Sequence, residues 1–578
     1  MAVAFQHEAT NGDAITARHG LMSPCLIDST NEGVCYRSDA TPKTRRKNGM
    51  LPVSRRLFMS GTIATLAAAG IGSRSFAQGG PALVLGTKLE LNTLDPHFFN
   101  GFPQGSSHSL IFDALLALDS ELRLVPGLAT AYRNIDPVTW EFDLRQNVKF
   151  HDGSDFTADD VIATLERVPK VPNSPNPFTQ FTRSIQSTEK LGDHKIRFKT
   201  ATPTPTLASD LARVFIISKK YVTGSTADFN NGAAGAAIGT GPYKVTDWVN
   251  GQQLVLARND AYWGEKQPWA KVTEKVIKGD AGRIAALLSG DVDAIDEVPT
   301  IDIPRIKQDK RFNVVSGASA TVQYIAMDAV RDVSPFISAK DGQPALLGNP
   351  LKDRRVRKAL SLAINRQLIV DRILDGSATP ASQFLPSRFD GTSTKLKVDP
   401  YDVEKAKGLL KEAGYPNGFK ITLHATGDRY PKDKDIAQAV GQFWSRIGLQ
   451  VAVEALPGTV FFTQATKQEY SVFMAQYGTE EASIGPRALV HTPGGVYGTA
   501  NRTKFSHTDI DAAIEKAQAE MDPVKRKPLV QAAIEISMNE QAIIPVFHPN
   551  AEMASKAAIA ITPRPERRFN ALMMKPKA

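Results

Sequence analysis

Thr139 to Leu165 reads TWEFDLRQNVKFHDGSDFTADDVIATL, and this stretch decides the fold. Trp140, Phe142 and Leu144 alternate with Glu141, Asp143 and Arg145, the period of a half-buried strand. Val148 and Phe150 continue the apolar run, and His151-Asp152-Gly153 carries turn chemistry. Thr157 then stands as a helix N-cap, with Asp160 three residues on as a short-armed form of the capping box. Val161, Ile162 and Leu165 follow at helical spacing. Strand, turn and capped helix make a scaffold and name no chemistry. His151 and Asp152, which look catalytic at first sight, read as a turn that aims the helix.

Around this stretch lie 578 residues, enough for two or three domains with ample cores. The formal charge of +9 is distorted by the first 77 residues, which hold nine Lys/Arg against five Asp/Glu. The remainder carries 60 basic and 55 acidic side chains, too even a balance for a nucleic-acid footprint. Both cysteines, Cys25 and Cys35, lie in that leader. Disulfides, zinc–thiolate sites, iron–sulfur clusters and thiol catalysis are therefore excluded from the chain beyond residue 77.

Ser54-Arg55-Arg56-Leu57-Phe58-Met59 precedes a small apolar run, Ser60 to Gly72, and then Ser75-Phe76-Ala77. This is the layout of a signal peptide, and the apolar run falls short of the roughly 20 residues that span a bilayer. The paired arginines match the twin-arginine export pattern except at Ser60; an ordinary secretory signal is the alternative. Residues 1–49 show no sustained apolar periodicity and are expected to be a non-native or disordered extension, with translation starting at Met50 and 50–77 as the signal peptide. The exported protein is expected in the periplasm.

Ala82 to Leu91 reads as a first strand, broken at Asn92-Thr93-Leu94-Asp95-Pro96. The loop His97-Phe98-Phe99-Asn100-Gly101-Phe102-Pro103 follows, its phenylalanines either packed locally or forming an aromatic lip on a ligand cavity. Ser107 to Leu118 looks helical; His194–Thr200 and Phe215–Ser218 look like strands. Gly239-Thr240-Gly241-Pro242-Tyr243 is a tight turn into a hairpin of Lys244–Trp248 with Gln253–Ala257. It is no phosphate loop, because Pro242 lacks an amide donor and no helix with Lys-Ser/Thr follows. Gly282–Leu288 is a helix stopped at Gly290, and Val292–Ile295 and Thr321–Met327 are strands.

From Asp353 the chain becomes helical, with Val356, Leu360, Ala363 and Ile364 on one face and Asn365 capping a second helix that ends at Gly376. Asp402 to Gly414 repeats the scheme. The cleanest helix sets Ile436, Ala439, Val440, Phe443, Trp444 and Ile447 on one stripe before Gly448. Strands are expected at Ile421–Ala425, Leu449–Val453 and Ile543–Phe547, and helices at Asp509–Met521 and Val524–Met538. Helix–loop–strand units mixed with hairpins argue for α/β lobes.

A search for an active site yields nothing positive. The eight histidines past the leader are scattered and none has metal-ligand spacing. There is no G-x-S-x-G elbow. Asp159-Asp160 suits the first turn of a helix, where negative charge is favourable, better than acid–base work.

Several blocks resemble those of the family 5 extracellular solute-binding proteins of bacterial ABC importers, which include dipeptide, oligopeptide and nickel binders. They are the opening stretch, Gly239-Thr240-Gly241-Pro242-Tyr243, Leu287-Leu288-Ser289-Gly290-Asp291-Val292-Asp293, Asp353 to Leu360 with Ala363-Ile364-Asn365-Arg366, and Lys405 to Pro416. The resemblance runs from about Leu83 to Phe547. It implies an α/β, two-lobe clamp with an extra subdomain in the first lobe: lobe I over 78–320 with the insertion at about 120–235, lobe II over 321–540, and 541–578 returning to lobe I. It also implies a ligand enclosed by hinge closure and handed to permease subunits in the inner membrane. The expected ligand is a small peptide or peptide-like solute, with nickel-chelate or opine/sugar-conjugate capture as alternatives and an exported hydrolase as the rival class. No cofactor, no metal and no nucleic-acid partner is expected, and the protein is expected to be a monomer.

In peptide binders of this family an Asp shortly after an aromatic residue pairs with the peptide amino group. Here Tyr477 and Glu480 fall at those positions. Arg429, in Gly427-Asp428-Arg429-Tyr430, sits one position from an arginine that takes the ligand carboxylate in dipeptide binders. The candidate ligand residues are thus Phe99, Asn100, Gly101, Phe102, Arg429, Tyr477 and Glu480.

Overall fold

The computed structural model describes residues 80–231 and 235–577. The extension at 1–49 and the signal peptide at 50–77 lie outside the described residues.

Thr139–Leu144 is a strand, paired antiparallel with Ala129–Asp136 on one side and Lys195–Thr200 on the other; Ile185–Gly192 completes a four-stranded sheet. Trp140, Phe142 and Leu144 are buried, and the Phe142 ring meets Phe198 edge-on at 5.2 Å between centroids. Glu141 departs from the alternation. It is buried too, because Arg133, Arg197 and Lys195 close over its carboxylate at 2.5, 2.7 and 3.1 Å from neighbouring strands. Cross-strand cations thus satisfy what water would otherwise solvate.

The turn and helix form as the sequence dictates. Gly153 takes φ +86°, a region that disfavours other residues. The Thr157 N–H donates to the Asp160 carboxylate at 2.8 Å at the head of helix Ala158–Arg167, and the other Asp160 oxygen accepts from the Lys219 N–H at 2.8 Å. His151 joins two of the blocks quoted above: its N–H donates to the Gly239 carbonyl at 2.8 Å and its Nε2 lies 3.0 Å from the Gly241 carbonyl oxygen. A Cβ at Gly239 would come 2.0 Å from the Ile111 carbonyl oxygen, so the close approach there demands glycine.

The first half of the main sheet places Ala82–Thr87 parallel to Lys271–Val276 and to Ala294–Ile295. The hairpin Tyr243–Val249 with Gln253–Arg258 extends it antiparallel. The second half runs Ile337–Ser338, Lys420–Thr426, Val472–Gly478, Thr321–Met327, with Gln450–Leu456 added parallel to Lys420–Thr426. Helices Arg354–Leu362, Val403–Glu412 and Asp433–Arg446 bury their stripes on one face of this half, with Trp444 wholly enclosed. Phe461, Phe473 and the helix Pro523–Asn539 cover the other face.

One strand, Ile543–Lys556, belongs to both halves. Ile543 to Phe547 pairs with Thr321–Met327, whereas Asn550 to Lys556 pairs with Phe312–Ala318. The crossing therefore falls at Pro549–Asn550. Ile544, Val546 and Phe547 still pack into the second half, which holds the chain there. Beside the crossing, Ser319 donates its hydroxyl to the Pro549 carbonyl at 2.5 Å.

Two local expectations need correction. The helix expected over Ser107–Leu118 spans Phe102–Ile111, starting earlier because Pro103 suits a first helical turn. It stops because the half-buried Asp113 carboxylate accepts from Thr240, Trp263 and Tyr262 at 2.9, 2.9 and 3.2 Å, and Leu116–Leu118 forms a strand with Leu124–Pro126. Phe215–Ser218 forms only a single bridge, Phe215 with Ala114. The Phe215 carbonyl is taken instead by His97 Nε2, at 2.7 Å.

Arg167 ends the helix begun at Thr157 and makes a bidentate pair with Asp95 at 2.6 and 2.8 Å, with side chains 6% and 0% exposed. Burial pushes the Asp95 carboxyl up, but the Arg167 hydrogen bonds and charge outweigh it and hold it below its ordinary range. A depressed carboxylate stabilises the fold above its unfolded pKa of about 3.9, and that stability is lost as pH falls through the folded value. Arg167→Ala is expected to lose about 3–5 kcal/mol, since it leaves a buried charge alone. Urea unfolding at pH 7 would show it, and a loss under about 1 kcal/mol would contradict it.

Candidate ligand-binding cleft

The Asp95–Arg167 pair anchors the loop that carries Phe99, Asn100 and Gly101. His97 Nδ1 lies 2.9 Å from Arg167, and Thr226 donates to Asp95 at 2.9 Å. Further along, the Asn100 N–H donates to the Asn176 carbonyl at 2.9 Å, and Ser174 donates to the Phe98 carbonyl at 2.6 Å. The loop is therefore fixed to the inserted subdomain. Phe99 is half-buried over Gly101, where a Cβ would come 2.4 Å from its ring and 2.6 Å from Gln104 Oε1. Gln104 is 1% exposed, and both amide atoms of its side chain lack a hydrogen-bond partner. Phe102 opens the helix; its side chain lies outside the described residues.

Tyr477 and Glu480 lie at the end of strand Val472–Gly478 and on the turn after it. The Thr479 N–H donates to the Ala320 carbonyl at 2.8 Å, which fixes this turn beside the strand crossing. From there Glu480 reaches Arg213 at 2.9 Å, and Arg213 lies over the Phe181 ring at 5.1 Å. Arg487, on helix Ile484–Leu489, donates to the Thr206 hydroxyl at 3.4 Å. Both contacts join the second half of the molecule to the inserted subdomain. The longer arm of Glu480 is thus used to span the gap.

Arg429 is exposed, over the rings of Tyr430 and Phe462 at 5.6 and 5.1 Å, and Arg502 shares Phe462 at 5.5 Å. Among the described residues no hydrogen bond, ion pair or ring contact joins Phe99 to Tyr477, Glu480 or Arg429. Sequence reading missed Arg213, Arg487, Arg502 and Asp210. Each is a lone charged residue in a helix or loop with no motif around it; only the folded chain brings the three arginines to Tyr477 and sets Asp210 near Arg213 and Arg487.

Two sheet halves joined by a pair of crossing strands, and meeting again through side chains, define a two-lobe binding protein. The match to solved structures agrees: HbpA2 of Haemophilus parasuis superposes with a TM-score of 0.72 at 22% identity, over 86% of this chain and 100% of that one. DppA of Helicobacter pylori, in complex with the peptide STSA, gives 0.68 at 22% identity, over 86% and 98%. Residues 123–487 match the model of the bacterial extracellular solute-binding proteins, family 5. The chain belongs to that family and is the binding component of a bacterial ABC importer. Among relatives, the glutathione-binding protein GsiB of Escherichia coli O157:H7 is 26% identical over 513 residues, 86% of this chain and 94% of its own length. The dipeptide-binding protein of Escherichia coli K12 is 25% identical over 449 residues, 72% and 79%.

The Arg213–Glu480 pair holds the two sides together, with side chains 22% and 23% exposed, so it contributes about 0.2–1 kcal/mol to closure. Arg213→Ala and Glu480→Gln are each expected to raise the radius of gyration of the ligand-free protein in small-angle scattering. The double variant should go no further than either single one. Curves identical to the parent's would remove the pair from closure.

Proposed function

We propose that this protein captures a peptide or peptide-like solute between its lobes in the periplasm and delivers it to permease subunits in the inner membrane. The cross-lobe contact of Arg213 with Glu480, on the turn beside the strand crossing, is the observation that carries this reading. A solute held there would bridge the same two surfaces, and binding energy would favour the closed form that a permease reads. Relatives named for glutathione and dipeptides support a peptide-like ligand. On this reading Phe99, Asn100, Gly101 and Phe102 form one wall and Tyr477, Glu480 and Arg429 the other. The domain division, the twin-arginine signal at Ser54–Ser60 and a monomeric state belong to the same proposal.

We infer that the solute is bound and not turned over. His97, His108, His151 and His548 are each pulled down to about 4, first by burial, and each ring lies against a backbone carbonyl. They act as neutral structural links. Among the described residues no three His, Cys, Asp or Glu side chains gather as metal ligands.

Native mass spectrometry of protein purified from its source should show a carried peptide-like mass that dissociates intact. Incubating the purified protein with a peptide library should raise its melting temperature and leave every peptide unchanged. Cleavage products would overturn the receptor reading.

A further inference from the structure

Four guanidinium groups gather where the lobes meet, and only one of them has a carboxylate. Arg213 is paired with Glu480 at 2.9 Å. Arg487 reaches only the Thr206 hydroxyl, at 3.4 Å, and Arg502 lies over the Phe462 ring. Arg183 is exposed as a residue; desolvation first, then the positive charge of Arg487, lowers its pKa against the opposing pull of Asp210. Tyr477 stands among them: its phenol is raised by burial, against the pull of Arg213, Arg487 and Arg502. Among the described residues Arg183, Arg487 and Arg502 make no ion pair.

The nearby acids do not balance this charge. Glu481 is already held by Arg526 at 3.3 Å. Asp210 is buried, which raises its carboxyl against the opposing pull of Arg487 and Arg213, and its Oδ2 accepts from Thr206 at 3.0 Å. Counting Asp210 and Glu480 in full, four positive groups face two negative ones. Like charges gathered in a partly buried place repel one another unless an anion joins them. A guanidinium presents a planar fork that fits a carboxylate through two parallel hydrogen bonds. Glu480 already brings one carboxylate oxygen to 2.9 Å from an Arg213 guanidinium nitrogen.

We propose, resting on the peptide-receptor reading above, that the solute carries at least two carboxylates. One displaces Glu480 from Arg213, and the other is read by Arg487 and Arg502. Arg183 adds long-range attraction from the rim. The Arg213–Glu480 contact is then a self-made substitute for the ligand. A cationic solute would meet three unpaired guanidiniums and be rejected.

The test is titration calorimetry of the exported full-length protein with three probes: trialanine, Glu-Ala-Glu and Lys-Ala-Lys. Glu-Ala-Glu is expected to bind at least about tenfold more tightly than trialanine, the worth of one charge-assisted contact, and to weaken as salt rises. Lys-Ala-Lys should bind more weakly than trialanine. Arg487→Gln and Arg502→Gln should each remove most of the acidic preference, narrowing the ratio between Glu-Ala-Glu and trialanine. Arg183→Gln, on an exposed side chain that leaves packing intact, should lower the acidic preference by about twofold to threefold, as a rim charge does. Equal affinity for trialanine and Glu-Ala-Glu, or tighter binding of Lys-Ala-Lys, overturns the inference and leaves the receptor reading standing. Binding of none of the three overturns the peptide reading, and this inference with it.

Discussion

Everything in this molecule depends on one shared strand. Ile543–Lys556 gives its first part to one sheet half and its last part to the other, and Phe312–Ala318 with Thr321–Met327 forms a broken partner along it. Backbone hydrogen bonds are short and directional, so the halves are held in register at the crossing. Pro549 sits at the crossing with no N–H to lend to a ladder, and its carbonyl is held by Ser319.

Much of the scaffold was legible in the residues. Alternation gave the strand at Trp140, and the caps at Thr157, Asn365 and Asp402 all form, because a side-chain oxygen facing a free amide is a local matter. The glycine stops at Gly290, Gly376, Gly414 and Gly448 all take positive φ. Where reading failed, distant groups intervened. The helix from Phe102 ends where Asp113 finds Thr240, Tyr262 and Trp263, and nothing near Asp113 in the chain announces those partners. Glu141 looked solvent-facing because its three cations come from other strands or positions in the sheet.

The cleft was less legible for the same reason. Tyr477 and Glu480 stand in a turn whose family resemblance points to them, but the partner of Glu480 lies 267 positions away in the inserted subdomain. Charge recognition is built from single arginines on separate elements, and single arginines leave no periodic trace. The buried histidines show the converse. Residue type made His151 look catalytic at first sight, whereas burial and carbonyl partners keep it and its buried fellows neutral.

The shared strand also sets an order on how the chain can be completed. Residues 321 to 549 are threaded between the two strands that cross, so the second half is in effect an insertion within the first. Until the residues after Asn550 have been synthesised, Phe312–Ala318 and Ala294–Ile295 have no partner on that side, and their edges stay open to any other strand. The last third of the chain therefore closes a sheet that the first third began. Such long-range closure is slow, and a nascent chain of this design needs its edge protected until the ribosome has finished.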